Sequence, residues 1–209
     1  MQEISPIFYV IVLIMSVVIH EIAHGYAALR FGDTTAKYAG RLTLNPLKHL
    51  ALFGSIILPL LLVITQAPFL IGWAKPVPYN PDNFDPARRR AGVLWVAAAG
   101  ILANLAIAIF FGIVVRLSNM FAWNAETLVP LASAIVLVNI VLAIFNLVPI
   151  APLDGSKILF SLIGRGAAQV EAFFEKYSII IILVFIFFLW DFLVPVIYYL
   201  FRILTGFVV

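Results

Sequence analysis

The sequence predicts an all-α polytopic membrane protein, with about four to six transmembrane or re-entrant helices and a short membrane-associated β-hairpin after the first helix. Three observations lead there. The 209 residues are 64% hydrophobic and 11% charged, with a mean hydropathy of +1.12, well outside the range of a water-soluble domain. Apolar runs recur at 7–28, 50–72, 91–115, 131–150 and 178–201, and about 20 such residues cross a hydrocarbon core of about 30 Å. The stretches between them are short, so 1–209 is expected to form a single integral-membrane domain.

The first run, 7–28, is apolar without interruption until His20-Glu21-Ile22-Ala23-His24, and it predicts a membrane helix. It lacks a basic leading region and a small-residue cleavage site, so it is expected to be retained. The region 32–86 is expected to hold the hairpin and a re-entrant segment. Gly32-Asp33 reads as a turn, and Gly40-Arg41-Leu42-Thr43-Leu44-Asn45-Pro46 alternates apolar and polar residues before a proline stop, as a short strand would. Pro59, Gln66, Pro68 and Gly72 interrupt the 50–72 run, which is expected to turn back within the membrane. Trp73 to Pro86 is rich in Pro, Asn and Asp and marks an interfacial loop ahead of Arg88-Arg89-Arg90. In helix 91–115, Gly100 with Ala97, Ala98, Ala99 and Ala103 makes a surface suited to close helix packing. Asn104 there, and Asn139 in helix 131–150, need interhelical hydrogen bonds or a supporting role at a site. Pro149 and Pro152 break the fourth run and free backbone groups that must line a cavity. The last run, 178–201, with phenylalanines from Phe185 to Phe192 and Trp190, fits a lipid-facing or packed span.

The net charge of +3 comes from basic residues that flank apolar runs, which is the pattern of membrane topology rather than of nucleic-acid binding. No nucleic-acid partner is expected. The first six residues and 117–130 carry no Lys or Arg, whereas 30–48 and 75–90 are basic. The positive-inside rule therefore predicts a multi-pass protein of the cell membrane with its N-terminus outside. With zero cysteines, disulfides and thiolate metal sites are excluded, leaving imidazole and carboxylate as ligands.

The His20-to-His24 motif carries the chemistry. On a helix, residues four apart share one face, so His20 and His24 are placed to bind one Zn²⁺, with Glu21 placed to take a proton from a water activated there. An ionisable cluster at bilayer depth is a functional site by default, because unpaired it costs several kcal/mol. A catalytic zinc site needs a third protein ligand. His49 and the five aspartates are the candidates, and Asp154 is favoured because it follows the proline-broken segment; its alternative role is to cap a helix over 155–159. Asn146 stands just before the break, where capping a helix end is one role open to it.

With His20-Glu21-Ile22-Ala23-His24 early and Asn146-Leu147-Val148-Pro149-Ile150-Ala151-Pro152-Leu153-Asp154-Gly155 late, the chain resembles the site-2 protease family of intramembrane zinc metalloproteases. Phe31-Gly32-Asp33, the Gly40-to-Pro46 stretch and Gly72-Trp73-Ala74-Lys75-Pro76-Val77 resemble its compact prokaryotic branch, which has no appended PDZ or CBS domain. The resemblance implies His20, His24 and Asp154 as ligands of one Zn²⁺ per chain, Glu21 as general base and Asn146 near the substrate carbonyl. Ala51, Ile101 and Ala151 depart from residues frequent in the family, and none of them is a proposed ligand or base. The implied activity is hydrolysis of peptide bonds within or near transmembrane helices of membrane-protein substrates, in regulated intramembrane proteolysis; the distribution of basic residues sets the expectation that the site opens toward the cytoplasm. Expected partners are such substrates and membrane lipids; the sequence does not set an oligomeric state. The Arg41-to-Asn45 strand is expected to pair with unwound substrate. A zinc transporter is the rival reading, and Glu21 argues for the hydrolase.

Overall fold

The computed structural model describes residues 4–51, 74–121, 125–164 and 168–207, with Gly54, Ile57, Leu61, Ile64, Thr65 and Gly166 between them. Helix α1, Pro6–Arg30, starts where Ser5 Oγ accepts from the Ile7 amide at 3.3 Å and Pro6 takes a first-turn position that needs no donor. A single turn of helix, α2, follows at Thr35–Tyr38. Helices α3, Arg89–Phe121, and α4, Ala125–Leu147, form an antiparallel pair, and α1 packs against both. After the proline break come α5, Asp154–Ile163, and α6, Ala168–Lys176. The run expected as a helix over 178–201 is carried by α7, Ser178–Val184, a π-helical turn at Phe185–Leu189, a 3₁₀ turn at Trp190–Phe192, and α8, Val194–Thr205, whose first turn holds Pro195. Pro195 has no amide hydrogen to continue the preceding ladder.

Among the described residues three helices are long and apolar enough to cross a membrane: α1, α3 and Glu126–Leu147 of α4. The segments Gln169–Lys176 and Ser178–Phe192, bent by 73°, make a fourth if taken as one span. The chain is a membrane protein. Ile7 is 70% exposed, Phe110 62% and Met120 70%, which is tenable where the surrounding medium is lipid. Toward the interior, Ala108, Val136, Ile140 and Ile197 bring α3, α4 and α8 together. The 50–72 run, expected to be re-entrant, lies for the most part outside the described residues.

The expected β-hairpin is not there, and no strand occurs among the described residues. The polar residues of the alternating stretch take up the backbone groups that a ladder would need. Thr43 Oγ1 accepts from the Asn45 amide at 3.3 Å, and Asn45 Oδ1 accepts from the Leu47 amide at 3.0 Å, capping a 3₁₀ turn at Pro46–His49. His49 Nε2 donates to the Thr43 carbonyl at 2.9 Å. Thr and Asn side chains compete with secondary structure in this way, and alternation alone does not reveal it. With no strand at Arg41 to Asn45, the expected pairing of substrate along it is withdrawn.

Two ties fix the chain around this turn. Arg41 Nη2 donates to the Lys75 carbonyl at 2.6 Å and the Pro76 carbonyl at 3.3 Å, and the Lys75 amide donates to the His49 carbonyl at 2.8 Å. Beyond α1, buried Asp33 accepts from the Asn80 amide at 2.7 Å, Asn83 Nδ2 at 2.7 Å and the Thr35 amide at 3.0 Å. Burial pushes the Asp33 carboxyl up, but these hydrogen bonds and that of the Thr35 hydroxyl outweigh it and hold the group below the usual carboxylate range. The ionised form is therefore the one the fold prefers. Its contribution is complete above the ordinary aspartate value of about 3.9 and is lost as the pH falls through the lower folded value. Asp33→Ala is expected to loosen the 80–83 turn by about 2 kcal/mol, read as roughly 30-fold faster hydrogen exchange at the Asn80 amide. In the wild type the same loosening should set in only on acidification below about pH 4.

Candidate metal centre

The three residues expected to bind metal are delivered by two different causes. The helical repeat of α1 puts His20 and His24 one turn apart on one face, with rings meeting edge-on, centroids 4.6 Å apart. Asp154 arrives because α4 stops at Leu147 and the tight turns 148–153 reverse the chain into α5, of which Asp154 is the first residue. The alternative role as a cap is not adopted: Leu153 is the N-cap, and the Asp154 carboxylate faces the histidines. Asp154 Oδ2 lies 3.1 Å from His20 Nε2 and 3.0 Å from His24 Nε2, and the two Nε2 atoms are 3.0 Å apart. All three side chains are buried. Lys157 Nζ reaches the other carboxylate oxygen, Oδ1, at 3.4 Å.

The outer ring nitrogens decide what this triangle can do. His24 Nδ1 lies 2.6 Å from the Val96 carbonyl, a pure acceptor, so Nδ1 carries the hydrogen and Nε2 is bare. His20 Nδ1 lies 2.7 Å from Asn104 Oδ1, with the same result. Two bare imidazole nitrogens and a carboxylate oxygen therefore converge at about 3 Å, an arrangement that a bound cation would complete. Two imidazoles and one carboxylate are a donor set of catalytic zinc sites, and hydrogen-bonded outer nitrogens are what such ligands require. The residues fit a metal ion, and they are the group of His, Asp and Glu side chains among the described residues whose ligand atoms all lie within 4.8 Å.

Gly100 makes the convergence possible. A Cβ built there would lie 2.5 Å from His20 Cε1 and 2.6 Å from each histidine Nε2. The sequence suggested only close helix packing at this position. The structure shows that what packs there is the pair of imidazoles. Asn104, one turn beyond on the same face of α3, both supports His20 and bonds to Asn139 of α4, Nδ2 to Oδ1, at 3.0 Å. The signal for both was available in the spacing of Gly100 and Asn104, but not which helix they would meet.

Glu21 is not among the converging atoms. Its Oε2 accepts from the Val77 amide at 2.7 Å, so the stretch 74–80 is tied to α1 beside the histidines. Nothing local in the sequence indicated this partner. Asn146 stands in the last turn of α4, where its Nδ2 donates to the Leu142 carbonyl at 3.0 Å. His49 is 1% exposed and belongs to the turn described above, not to the metal cluster.

Residues 8–121 and 112–189 match the model of peptidase family M50. The chain belongs to that family. The family resemblance and the metallopeptidase class expected from the motifs are borne out at this level. Among proteins similar to this M50 peptidase, "Putative zinc metalloprotease YwhC" of Bacillus subtilis (strain 168) is 42% identical over 184 residues, covering 85% of this chain and 78% of its own. Rip2 of Mycolicibacterium smegmatis (strain ATCC 700084 / mc(2)155), which bears the same description, is 32% identical over 163 residues, covering 74% of this chain and 59% of its own. The M50 chain thus spans about three fifths of Rip2. No solved structure gives a significant match.

Proposed function

We propose that this M50 peptidase is a zinc endopeptidase that cleaves membrane proteins within or near their transmembrane helices, in regulated intramembrane proteolysis. The observation that carries the reading is the convergence of ligand atoms from His20, His24 and Asp154 to about 3 Å inside a set of apolar helices. Zn²⁺, when bound, contributes Lewis acidity, which polarises a carbonyl and lets water lose a proton near pH 7. Glu21, adjacent to His20, takes that proton on its carboxylate and returns it to the leaving nitrogen. The Val77 amide holds the carboxylate in place meanwhile. Asn146 serves the substrate carbonyl by turning Nδ2 from Leu142 O, an exchange within one helical turn. Substrate helices with weak internal hydrogen bonding are preferred, because cleavage requires local unwinding. The site opens to the cytoplasm and the N-terminus lies outside, in keeping with the basic stretches 30–48 and 75–90. Membrane lipid fits the open groove between α1 and α3 lined by Arg30, Arg88, Trp95 and Leu102.

Glu21→Gln tests the reading. In detergent, with single-span helices carrying Gly, Pro or Asn near mid-membrane as substrates, both forms are expected to bind zinc. The Gln variant should cleave at least about 100-fold more slowly. Zinc-bound wild type that cleaves nothing, yet carries Zn²⁺ into liposomes, would replace proteolysis by transport.

A further inference from the structure

His20 stands at the head of a buried chain of hydrogen bonds that runs through all three long helices. Asn104 of α3 meets His20 Nδ1 with Oδ1 at 2.7 Å and donates from Nδ2 to Asn139 Oδ1 at 3.0 Å. Asn139 of α4 donates from its own Nδ2 to Ser16 Oγ of α1 at 2.9 Å and to the Ile135 carbonyl at 2.9 Å. Ser16 precedes His20 by one helical turn, so the chain closes on the helix where it began. Asn104 and Asn139 are 0% exposed and Ser16 is 4% exposed, so water is not at hand to take over a missing partner.

The polarity of this chain follows from its far end. A main-chain carbonyl can only accept, so the Asn139 atom beside Ile135 must be the amide nitrogen, which turns Oδ1 toward Asn104. Asn104 must then present Nδ2 to Asn139 and Oδ1 to His20. An oxygen at that position requires the hydrogen on Nδ1 and leaves Nε2 bare. Were both amides flipped, Nδ2 of Asn104 would face Nδ1, the hydrogen would move to Nε2, and it would point at the other ligand atoms.

We infer that Asn139 is a positioning residue for the metal centre: anchored by the Ile135 carbonyl, it sets through Asn104 which nitrogen of His20 is free to bind metal. The inference rests on His20 being a ligand, as proposed above. A residue that only joined α3 to α4 would do so equally well in either polarity, and this difference is what an experiment can read.

The chain has 3 histidines, so ¹⁵N-histidine labelling gives a resolvable spectrum, with His24 and His49 as internal references. In zinc-free wild type, at a pH where the imidazoles are neutral, His20 should be the Nδ1–H tautomer. Asn139→Leu should give a mixture of tautomers at His20 while His49 is unchanged, and should weaken Zn²⁺ binding, measured by chelator competition, about 10- to 100-fold. Asn139→Asp in its protonated form still donates to the Ile135 carbonyl and offers Asn104 an acceptor oxygen, and should keep both the tautomer and the affinity within about 3-fold of wild type, within the spread of near-neutral substitutions. Ser16→Ala leaves the Ile135 anchor and should behave likewise. A Leu variant with wild-type tautomer and affinity would overturn the inference, as would equal losses in the Leu and Asp variants. Wild type that binds no zinc would defeat the functional reading, while the tautomer comparison would still decide the role of Asn139.

Discussion

Gly100→Ala is expected to empty the metal centre without unfolding the protein. The added methyl carbon would sit 2.5 Å from His20 Cε1 and 2.6 Å from His20 Nε2 and His24 Nε2. Neither ring can recoil, because Asn104 holds one at Nδ1 and the Val96 carbonyl holds the other. The rings must leave their rotamers, and with them the geometry shared with Asp154. Alanine is a better helix former than glycine by about 1 kcal/mol, so α3 itself gains. Helical content and behaviour in detergent should stay as in wild type while zinc affinity falls by at least about 100-fold, the upper range for disturbed ligand support. Zinc bound at wild-type affinity would mean that the histidines do not lie against Gly100.

Gly155→Ala should act on the opposite side of the same centre. Here a Cβ would meet the Leu147 carbonyl oxygen at 2.2 Å and the Val148 carbonyl oxygen at 2.4 Å. These are main-chain atoms at the end of α4, with no rotamer to change. The start of α5 must lift by roughly 1 Å, and Asp154 immediately precedes the substituted residue. A displacement of that size costs on the order of 100-fold in rate. The expected result is a folded protein in which peptide cleavage falls by about that factor and zinc is held more weakly. Cleavage at the wild-type rate would show that Asp154 need not be where α5 places it.

The part of this site that was legible in the sequence is the part fixed by short-range geometry. His20, Glu21 and His24 lie within one helical turn, so their relation could be read from spacing. Asp154 was found because two prolines break a membrane helix just before it. The neighbours that make these residues usable come from elsewhere in the chain. Val96, Gly100 and Asn104 act on histidines more than seventy residues away, and the Val77 amide reaches Glu21 across 56 positions. A helical face says what it can pack against but not which helix arrives. The fold shows the same division. The long helices followed from hydropathy, whereas the hairpin over 40–46 was misread because Thr43, Asn45 and His49 satisfy its backbone locally.

Helix α3 carries an arginine near each end. Arg90 donates to the Ser161 and Leu162 carbonyls that end α5, and Arg116 donates to the Ile203 and Leu204 carbonyls, at 2.9 Å for the latter, that end α8. Twenty-six residues of helix separate the two, about 39 Å along the axis. That is close to the thickness of a bilayer with its headgroups, about 40–45 Å. With a guanidinium tied to neighbouring chain at both ends, α3 cannot slide along its axis to follow a thinner membrane. Adjustment is left to tilting of the bundle as a unit or to deformation of the lipid. The axial register of α3 against α5 and α8 is thereby set by the same two arginines, one acting at each end.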